Sequence, residues 1–289
     1  MKGLFAGIST VDIQFYVNEF PDSNTKNKTL STRVDIGGPA ANAAVTFAML
    51  GGKAKLVTMI GKHEFRDYIL NKLSEYKIEV TDTISDIKRF TQFSVIISSI
   101  RSGDRTIFES PVLKEQGKAN AISIQDFDVC LVDGYLDETA REITSIAKDS
   151  GIITVMDGGS WKEGMDKYLK NIDYAVCSSD FFPPECKTHI EVISFLRDYG
   201  IKNIAITRGD KSIVVFTNGR KSEISIKKVN AIDTLGAGDI FHGALCYFLP
   251  GEYNFVSALK KASDIATESC KYYGAHAWPT EFFKKQREL

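Results

Sequence analysis

The sequence predicts an α/β fold in which helices cover both faces of a mostly parallel sheet, and a small second β-sheet is appended. Two observations predict this fold. Short apolar runs of strand length alternate with stretches of helical spacing through most of the 289 residues, and two other segments alternate polar and apolar residues with period two. Continuous apolar strands separated by helices are typical of a parallel sheet buried on both faces. The period-two segments predict strands with one exposed face.

Six apolar runs are the predicted core strands, and four stretches between them are the predicted helices. The strands span residues 3–8, 54–60, 128–132, 152–156, 174–177 and 203–207. The helices span residues 39–50, 65–76, 138–148 and 190–199. A chain of this length buries about three quarters of its unfolded surface, so it can build one full core.

Two insertions, about residues 11–36 and about residues 90–110, carry the period-two pattern. In the first, one face is predicted to carry Val11, Ile13, Phe15 and Val17, and the other Asp12, Gln14, Tyr16 and Asn18. The second insertion turns at residues 101–104. We expect a half-exposed antiparallel sheet of about four strands, which is either an ordinary extension or, because its apolar face needs cover, a lid or dimer surface. A single domain over residues 1–289 with this lid is the simplest organisation.

Charge and composition exclude several classes of protein. The 36 Lys and Arg against 37 Asp and Glu give a formal net charge of −1, which leaves no surplus of positive charge for a nucleic acid. Because no apolar run approaches the ~20 residues of a membrane helix and the start lacks a signal peptide's apolar segment, we expect a cytoplasmic protein without a membrane partner. Five cysteines without a Cys-x-x-Cys pair and four scattered histidines predict reduced thiols and no metal-ligand cluster.

A glycine-rich segment, Asp-Thr-Leu-Gly-Ala-Gly-Asp at residues 233–239, precedes an apolar helix late in the chain. At a helix start, the amides of Gly236, Ala237 and Gly238 would form an anion hole reinforced by the helix dipole. Asp239 could then accept the proton of an attacking hydroxyl while these amides stabilise a transferring phosphoryl group. The alternative is an N-cap residue beside a tight turn.

Two other phosphate-binding motifs are absent. The glycine pair at residues 51–52 continues as Lys-Ala-Lys, which excludes a P-loop. Phe241 stands where the dinucleotide fingerprint needs its third glycine, and the segment lies far from the first strand. A P-loop NTPase is therefore excluded, and a nicotinamide oxidoreductase is disfavoured.

A second glycine pair, Gly37 and Gly38, opens an alanine-rich helix that has Pro39 at its first position. Asn42 places an amide in the first turn of that helix. Because an amide both donates and accepts hydrogen bonds, it suits sugar hydroxyls. The alternative is a packing helix with a polar first turn.

The two segments, in this order and spacing, resemble the paired signatures of the ribokinase-like (phosphofructokinase-B type) carbohydrate kinases. The resemblance covers nearly the whole chain, including Asp12 after the first strand, Thr-Arg-Gly at residues 207–209, and Gly-Ala at residues 274–275. It implies a Rossmann-like three-layer core with a β lid. It also implies transfer of the γ-phosphoryl group of ATP, with Mg²⁺, to a sugar or nucleoside hydroxyl, and a homodimer formed through the lids.

The resemblance implies a role for each matching residue. Asp239 is the general base, and the anion hole is formed by Gly236, Ala237 and Gly238. The substrate contacts are Asp12, Gly37, Gly38 and Asn42. The ATP-binding residues are Ser178, Thr207, Arg208 and Gly209. A monovalent-cation site, for K⁺ in many relatives, would be bordered by Asp233, Leu235 and Gly274, and no residue is assigned to Mg²⁺ directly.

One departure from the family concerns Mg²⁺. Many relatives have Asn-x-x-Glu after the strand at residues 174–177, a pair that organises magnesium-bound water. This chain has Ser-Ser-Asp-Phe at residues 178–181 instead. Asp157 and Asp180 are candidates to replace the pair. Its loss also fits a catalytically silent, ligand-binding or regulatory homologue.

The sequence leaves open which molecule accepts the phosphoryl group. Pro39 stands where ribokinases usually have Lys, which is closer to the ketohexokinase and sulfofructose kinase branch and favours a ketose or related carbohydrate. Three arginines near the lid, Arg89, Arg101 and Arg105, could contact an acidic substituent or simply solvate a turn. A nucleoside kinase is the alternative, with Phe15, Tyr16 and Phe108 as candidates for base stacking.

Overall fold

The computed structural model describes residues 1–88, 91–112, 122–251 and 254–278. The strands are β1 (Lys2–Ala6), β2 (Thr10–Val17), β3 (Ser31–Gly37), β4 (Lys53–Thr58), β5 (Glu79–Asp82), β6 (Phe93–Ser99), β7 (Arg105–Glu109), β8 (Val129–Val132), β9 (Ile153–Gly158), β10 (Tyr174–Ser178), β11 (Asn203–Arg208), β12 (Lys211–Thr217) and β13 (Arg220–Ile224). The helices are α1 (Pro39–Met49), α2 (Arg66–Glu75), α3 (Asp137–Asp149), α4 (His189–Asp198), α5 (Ala237–Phe248) and α6 (Phe255–Ser269), with 3₁₀ turns at Met165–Lys167 and Leu169–Asn171.

The larger sheet has nine strands in the order β13-β12-β11-β10-β9-β8-β1-β4-β5. The pairs from β11 through β5 are parallel, and β12 and β13 add antiparallel strands at one edge. Side chains of α1, α2, α5 and α6 pack on one face of the sheet, and those of α3 and α4 on the other. The predicted three-layer fold with a mostly parallel sheet is therefore confirmed.

The predicted core strands and helices are present with shifts of a residue or two at their ends. Strand β1 ends at Ala6 because the chain then leaves the ladder: the Ile8 N–H donates to the Asp133 carboxylate at 3.0 Å. Three strands, β5, β12 and β13, and helix α6 lie outside the predicted set. Strand β13 carries four exposed residues out of five, so it lacks the apolar pattern that marks a core strand.

The small sheet comes from the two insertions and has the order β3-β2-β6-β7. Its two hairpins are antiparallel, but the central pair, β2 with β6, is parallel. The prediction of a wholly antiparallel sheet was wrong at this pair. The reason is that β2 follows β1 and β6 follows β5, and β1 and β5 are strands of the parallel part of the core sheet. The carboxyl ends of parallel strands lie at one edge of the sheet. Both hairpins therefore leave the core in the same direction. Residue 90 and Arg89 lie outside the described residues.

The two faces of β2 are the ones predicted, but the polar face is buried along the whole strand, whereas only Val11 and Val17 are buried on the apolar face. Asp12, Gln14 and Tyr16 are buried, whereas Ile13 and Phe15 are half-buried. Cross-strand register aligns one row, here called the outer row, formed by Val34, Ile13, Val95 and Phe108; its two ends are exposed, and Ile13 packs partly against the core. The polar face turns toward the core sheet, because partners for its hydrogen bonds lie there.

The cysteines that the structure describes are all free thiols, and Cys130, Cys177 and Cys246 are buried. No helix within the described residues has the length and apolar character required to cross a membrane.

Candidate active site

A cavity of about 250 Å³ lies between the carboxyl edge of the core sheet and the polar face of the small sheet. Among the residues lining it are seven that the sequence predicts: Asp12, Gly38, Asn42, Leu235, Gly236, Gly238 and Asp239. They come from β2, from the start of α1, and from the start of α5. Ligand sites of open α/β sheets form at this edge.

The start of α1 meets the start of α5 at the base of the cavity. The Asn42 Nδ2 donates to Asp239 Oδ2 over 2.7 Å. This contact requires close helix packing, and Gly243 provides it, because a Cβ there would lie 2.3 Å from the Ala43 carbonyl oxygen. The alanine-rich sequence of α1 and the glycine of α5 thus bring the amide to the carboxylate.

The pKa of Asp239 is raised to about 7. Burial is the main cause and the negative charge of Asp157 the next, while the hydrogen bond from Asn42 and the charge of His242 act in the opposite direction. A carboxylate with a pKa near neutrality is suited to accept a proton from a hydroxyl and release it afterwards.

Helix α5 begins after Gly236, which has φ of 70° and so occupies the left-handed region that favours glycine. The Ile240 N–H donates to the Gly236 carbonyl at 2.8 Å and is the start of the helical ladder. The Ala237 N–H contacts the Thr234 carbonyl at 3.3 Å. Amides ahead of the ladder lack a helical acceptor, and Gly236 and Gly238 line the cavity, so their amides are candidate donors for an anion.

Gly37 makes room for the carboxylate of Asp12. A Cβ on Gly37 would lie 2.1 Å from Asp12 Oδ2. The Thr10 hydroxyl donates to Asp12 Oδ1 at 2.7 Å. Burial raises the pKa of Asp12, opposed by hydrogen bonds from Thr10 and Ser94. Gly38 has φ of 97°, and a Cβ there would lie 2.3 Å from the Ile8 carbonyl oxygen.

Comparison with known proteins identifies the family. A sequence model described as pfkB family carbohydrate kinase matches residues 4–281. The chain belongs to this family. The carbohydrate kinase is 25% identical to a deoxyribokinase of Salmonella typhimurium, over 89% of this chain and 88% of the relative. It is 26% identical to a fructosamine kinase of Bacillus subtilis, over 84% of this chain and 86% of the relative.

The fold of the carbohydrate kinase is ribokinase-like. A structure of Arabidopsis thaliana ribokinase complexed with ribose and ATP matches it with a TM-score of 0.75 at 17% identity, covering 100% of this chain and 98% of that chain. The membership of the family and the shared fold make this chain a phosphotransferase that acts on sugars.

The residues expected at ATP lie along the same edge of the kinase's core sheet, outside the set that lines the cavity. Ser178 and Thr207 are paired across β10 and β11. The Ser178 hydroxyl donates to the Gly159 carbonyl at 2.7 Å. The Arg208 guanidinium donates to the Ser212 carbonyl at 2.8 Å and to Glu223 at 3.2 Å, so it braces the strands β11 to β13. Gly209 has φ of 62° and open space beside it.

The lid arginines that the structure describes have protein partners. Arg101 pairs with Glu19 at the hairpin tip. Arg105 lines the cavity and donates to the Thr234 hydroxyl in the loop before α5. Of these two arginines, only Arg105 lines the cavity in which a sugar substrate could bind.

Asp133 organises the site and was missed by the sequence analysis. It accepts hydrogen bonds from the amides of Ile8 at 3.0 Å, Ala40 at 3.2 Å and Tyr135 at 3.1 Å. Burial raises the pKa of Asp133 to about 6. The carboxylate therefore ties the end of β1 to the start of α1. The available signal was its position directly after an apolar strand.

His276 was also missed. Its Nε2 lies 2.9 Å from Asn42 Oδ1, and its Nδ1 lies 3.6 Å from Asp35 Oδ2. Because the Asn42 Nδ2 donates to Asp239, the Asn42 oxygen must accept, so His276 Nε2 carries the proton. Burial opposes ionisation of Asp35, but the hydrogen bond and charge of His276 prevail and lower the pKa of Asp35. No sequence signal links these residues.

The two candidates for the missing Asn-x-x-Glu pair differ in position. Asp157, at the end of β9, is buried and lies 3.4 Å from His242 Nδ1. Asp180 is exposed, and its amide donates to the Ser178 hydroxyl at 3.0 Å. Within the described residues, no three His, Cys, Asp or Glu side chains form a group that could hold a metal ion. A magnesium ion that arrives on ATP is compatible with this, because such ions use one or two carboxylates plus phosphates and waters.

Proposed function

We propose that this kinase transfers the γ-phosphoryl group of ATP to a hydroxyl of a ketose or related small carbohydrate, with Asp239 as the general base. The observation that supports it most strongly is the position of Asp239. It lines the cavity at the start of α5, accepts a hydrogen bond from Asn42, and has a pKa near neutrality. Asp12, Gly37, Gly38 and Asn42 are the proposed acceptor contacts.

In the proposed reaction, the acceptor hydroxyl loses its proton to the Asp239 carboxylate while its oxygen attacks the γ-phosphorus and ADP leaves. The amides of Gly236 and Gly238 stabilise the charge on the phosphoryl group, and the Ala237 N–H joins them by exchanging its 3.3 Å contact with the Thr234 carbonyl for a phosphoryl oxygen. Ser178, Thr207, Arg208 and Gly209 are proposed at the nucleotide. Magnesium bound to ATP would neutralise phosphate charge, and Asp157 is the carboxylate that we assign beside it.

The ketose is supported by Pro39, which lines the cavity, and by the likeness to a fructosamine kinase, whose name indicates a substituted ketose. The nucleoside alternative loses the three aromatic residues that were expected to stack on a base, although Phe93 and Tyr135 line the cavity. Phe15 and Phe108 belong to the outward face of the small sheet, and the Tyr16 hydroxyl donates to Asp233 at 2.8 Å. None of these three aromatic side chains is among the residues that line the cavity.

Replacing the proposed base tests the mechanism. We expect Asp239→Asn to lower kcat at least ~100-fold, because general-base catalysis contributes about 10²–10⁴. The pKa of Asp239 is raised in the folded state, so its ionisation lowers the stability of the wild-type protein as pH rises toward 7. Asparagine does not ionise. The variant should therefore melt at or above the wild-type temperature at pH 8. Asp149→Asn, an exposed change at the end of α3, is the control. Near-normal turnover of Asp239→Asn on the true acceptor would refute the assignment.

The acceptor is found by measuring ATP consumption with ketoses, aldoses, amino-sugar adducts and nucleosides. Turnover is expected with a ketose or a substituted ketose. Preference for a nucleoside would support the alternative kinase. Absence of acceptor-dependent turnover across the panel would support a silent, ligand-binding homologue.

We also propose that two copies of the kinase pair through their small sheets. Val34 is 45% exposed and Phe108 is 59% exposed, at the two ends of the outer row that crosses all four strands. A continuous apolar row on one sheet is self-complementary under a two-fold axis. A second copy of the chain is therefore the occupant that fits this face.

A further inference from the structure

The carboxylate of Asp233 accepts four hydrogen bonds from the protein. Its Oδ1 accepts the Leu235 N–H at 2.9 Å. Its Oδ2 accepts the Gln14 side-chain amide at 2.8 Å, the Tyr16 hydroxyl at 2.8 Å and the Gly274 N–H at 2.9 Å. Each carboxylate oxygen offers about two lone-pair positions, so three donors saturate Oδ2, and the Leu235 N–H takes one of the two positions on Oδ1.

These contacts do not fit the monovalent-cation site that the family resemblance implies at Asp233, Leu235 and Gly274. A potassium ion needs several oxygen ligands to replace its hydration shell. Leu235 and Gly274 instead direct N–H donors at the shared carboxylate. The nearby Cys270 carbonyl is also engaged, because it accepts the Ile232 N–H at 2.7 Å and the Asp233 N–H at 3.2 Å.

The space available disagrees with a cation as well. The cavity beside Gln14, Leu235 and Gly274 holds only about 10 Å³, which is at the lower limit for a single water. Arg33 lines the same cavity, and a Cβ on Gly274 would lie 3.3 Å from its guanidinium carbon. The carboxylates of Asp12 and Asp35 line this cavity too, so the Arg33 guanidinium already supplies a positive charge beside them.

We infer that side chains of the small sheet replace the monovalent cation in this kinase, so that it neither binds nor requires K⁺. Gln14 and Tyr16 on β2 hold Asp233, and Arg33 on β3 places its positive charge in the neighbouring cavity. Asp233 begins the segment that ends at the proposed base, Asp239. The small sheet therefore fixes the phosphate-binding loop directly.

The salt dependence of wild-type enzyme tests the inference in two ways. At constant ionic strength, replacing K⁺ or Na⁺ by N-methylglucammonium should change the melting temperature by less than about 1 °C and kcat by less than about 1.5-fold. A rise in melting temperature specific to K⁺, or activation by K⁺ of about five-fold or more, would overturn the inference. The kinetic comparison depends on the proposed function, but the melting comparison does not. If no sugar accepts the phosphoryl group, only the proposed function is refuted, and the melting comparison still tests the inference.

Removing a donor tests whether the small sheet holds the loop. Tyr16→Phe should lower kcat about five-fold in every salt with a smaller change in the KM for ATP, since one hydrogen bond to a buried carboxylate is lost. Tyr68→Phe is the matched control, because its hydroxyl donates to the Val34 carbonyl on the exposed side of the sheet at 2.7 Å. Equal activity of both variants and wild type would contradict the inference. If Tyr16→Phe does not fold, the wild-type salt comparison still decides.

Discussion

The proposed base, Asp239, lies near three buried carboxylates, those of Asp12, Asp133 and Asp157. Asp157 raises the pKa of Asp239, and burial raises the pKa of Asp133 and of Asp12. Each additional negative charge in a cavity of low polarity makes ionisation of its neighbours less favourable. The site therefore holds Asp239 with comparable neutral and ionised populations near pH 7, and small changes of charge nearby shift its proton affinity.

The first consequence at the residue scale is a pH profile. Asp239 acts in its deprotonated form, so kcat/KM should be lost as pH falls through about 7 and should level off above it. Asp157→Asn removes a negative charge and should move the midpoint to lower pH, while Asp149→Asn should leave it unchanged. The measurement is kcat/KM from pH 5 to 9. A wild-type midpoint near pH 4 would show that the environment does not raise the pKa.

The second consequence at the residue scale concerns His276, which we expect to position the side chain of Asn42. Without its donor, Asn42 is free to turn its amide, so His276→Ala should lower kcat about ten-fold. His276→Gln keeps an N–H within reach of Asn42 Oδ1 and should restore most of the activity. Steady-state kinetics compares the two variants. Equal loss in both would indicate that the ring matters for packing and not for the hydrogen bond.

Residues that act within a short motif could be predicted, and residues that act through distant contacts could not. Asp239 and Asn42 stand in local patterns that already specify a helix start. Asp133 is 93 residues from Ala40, and His276 is 234 residues from Asn42. The roles of such residues arise only when the fold brings them together.

At the scale of elements, the site depends on how closely α1 and α5 approach. Gly243 faces the backbone of α1, where a Cβ would meet the Ala43 carbonyl at 2.3 Å and the Thr46 Cβ at 2.7 Å. Backbone cannot move aside as a side chain can. The distance between Asn42 and Asp239 is therefore fixed by this glycine.

Gly243→Ala should accordingly separate the two helices. We expect a loss of about 1–3 kcal/mol in the free energy of unfolding, as for other overpacked cores, together with reduced kcat. Gly238→Ala is the matched control for stability, because it lies on the same helix and a Cβ there has no neighbour within 4 Å. Denaturant unfolding measures both variants. An unchanged stability of Gly243→Ala would contradict the packing argument.

The core elements could be predicted because burial on both faces leaves an apolar pattern. Strand β13, which is mostly exposed, leaves no such pattern. The parallel pairing of β2 with β6 was also hidden, because it depends on where each hairpin leaves the core and not on the residues of either strand. The alternation of β2 was visible, but which face is buried was decided by polar partners such as Asp233.

For the whole molecule, the outer row should determine the oligomeric state. Phe108→Asp places an unpaired charge in the proposed interface and should convert a dimer to a monomer at micromolar concentration. Ile190→Asp is the control, since Ile190 is 70% exposed on α4, outside the small sheet. Sedimentation velocity distinguishes the species. A monomeric wild-type protein, or a dimer that persists in Phe108→Asp, would contradict the proposal.

Strand β2 carries two properties of the molecule on opposite sides of one backbone. Asp12, Gln14 and Tyr16 serve the cavity and the loop, and Ile13 belongs to the outer row. Because successive side chains point to opposite faces, inserting a single residue before Asp12 would exchange the two sets. The proposed catalytic site and the proposed dimer would then be lost together. We therefore expect an insertion to be tolerated in the exposed segment at residues 18–30 and not within β2.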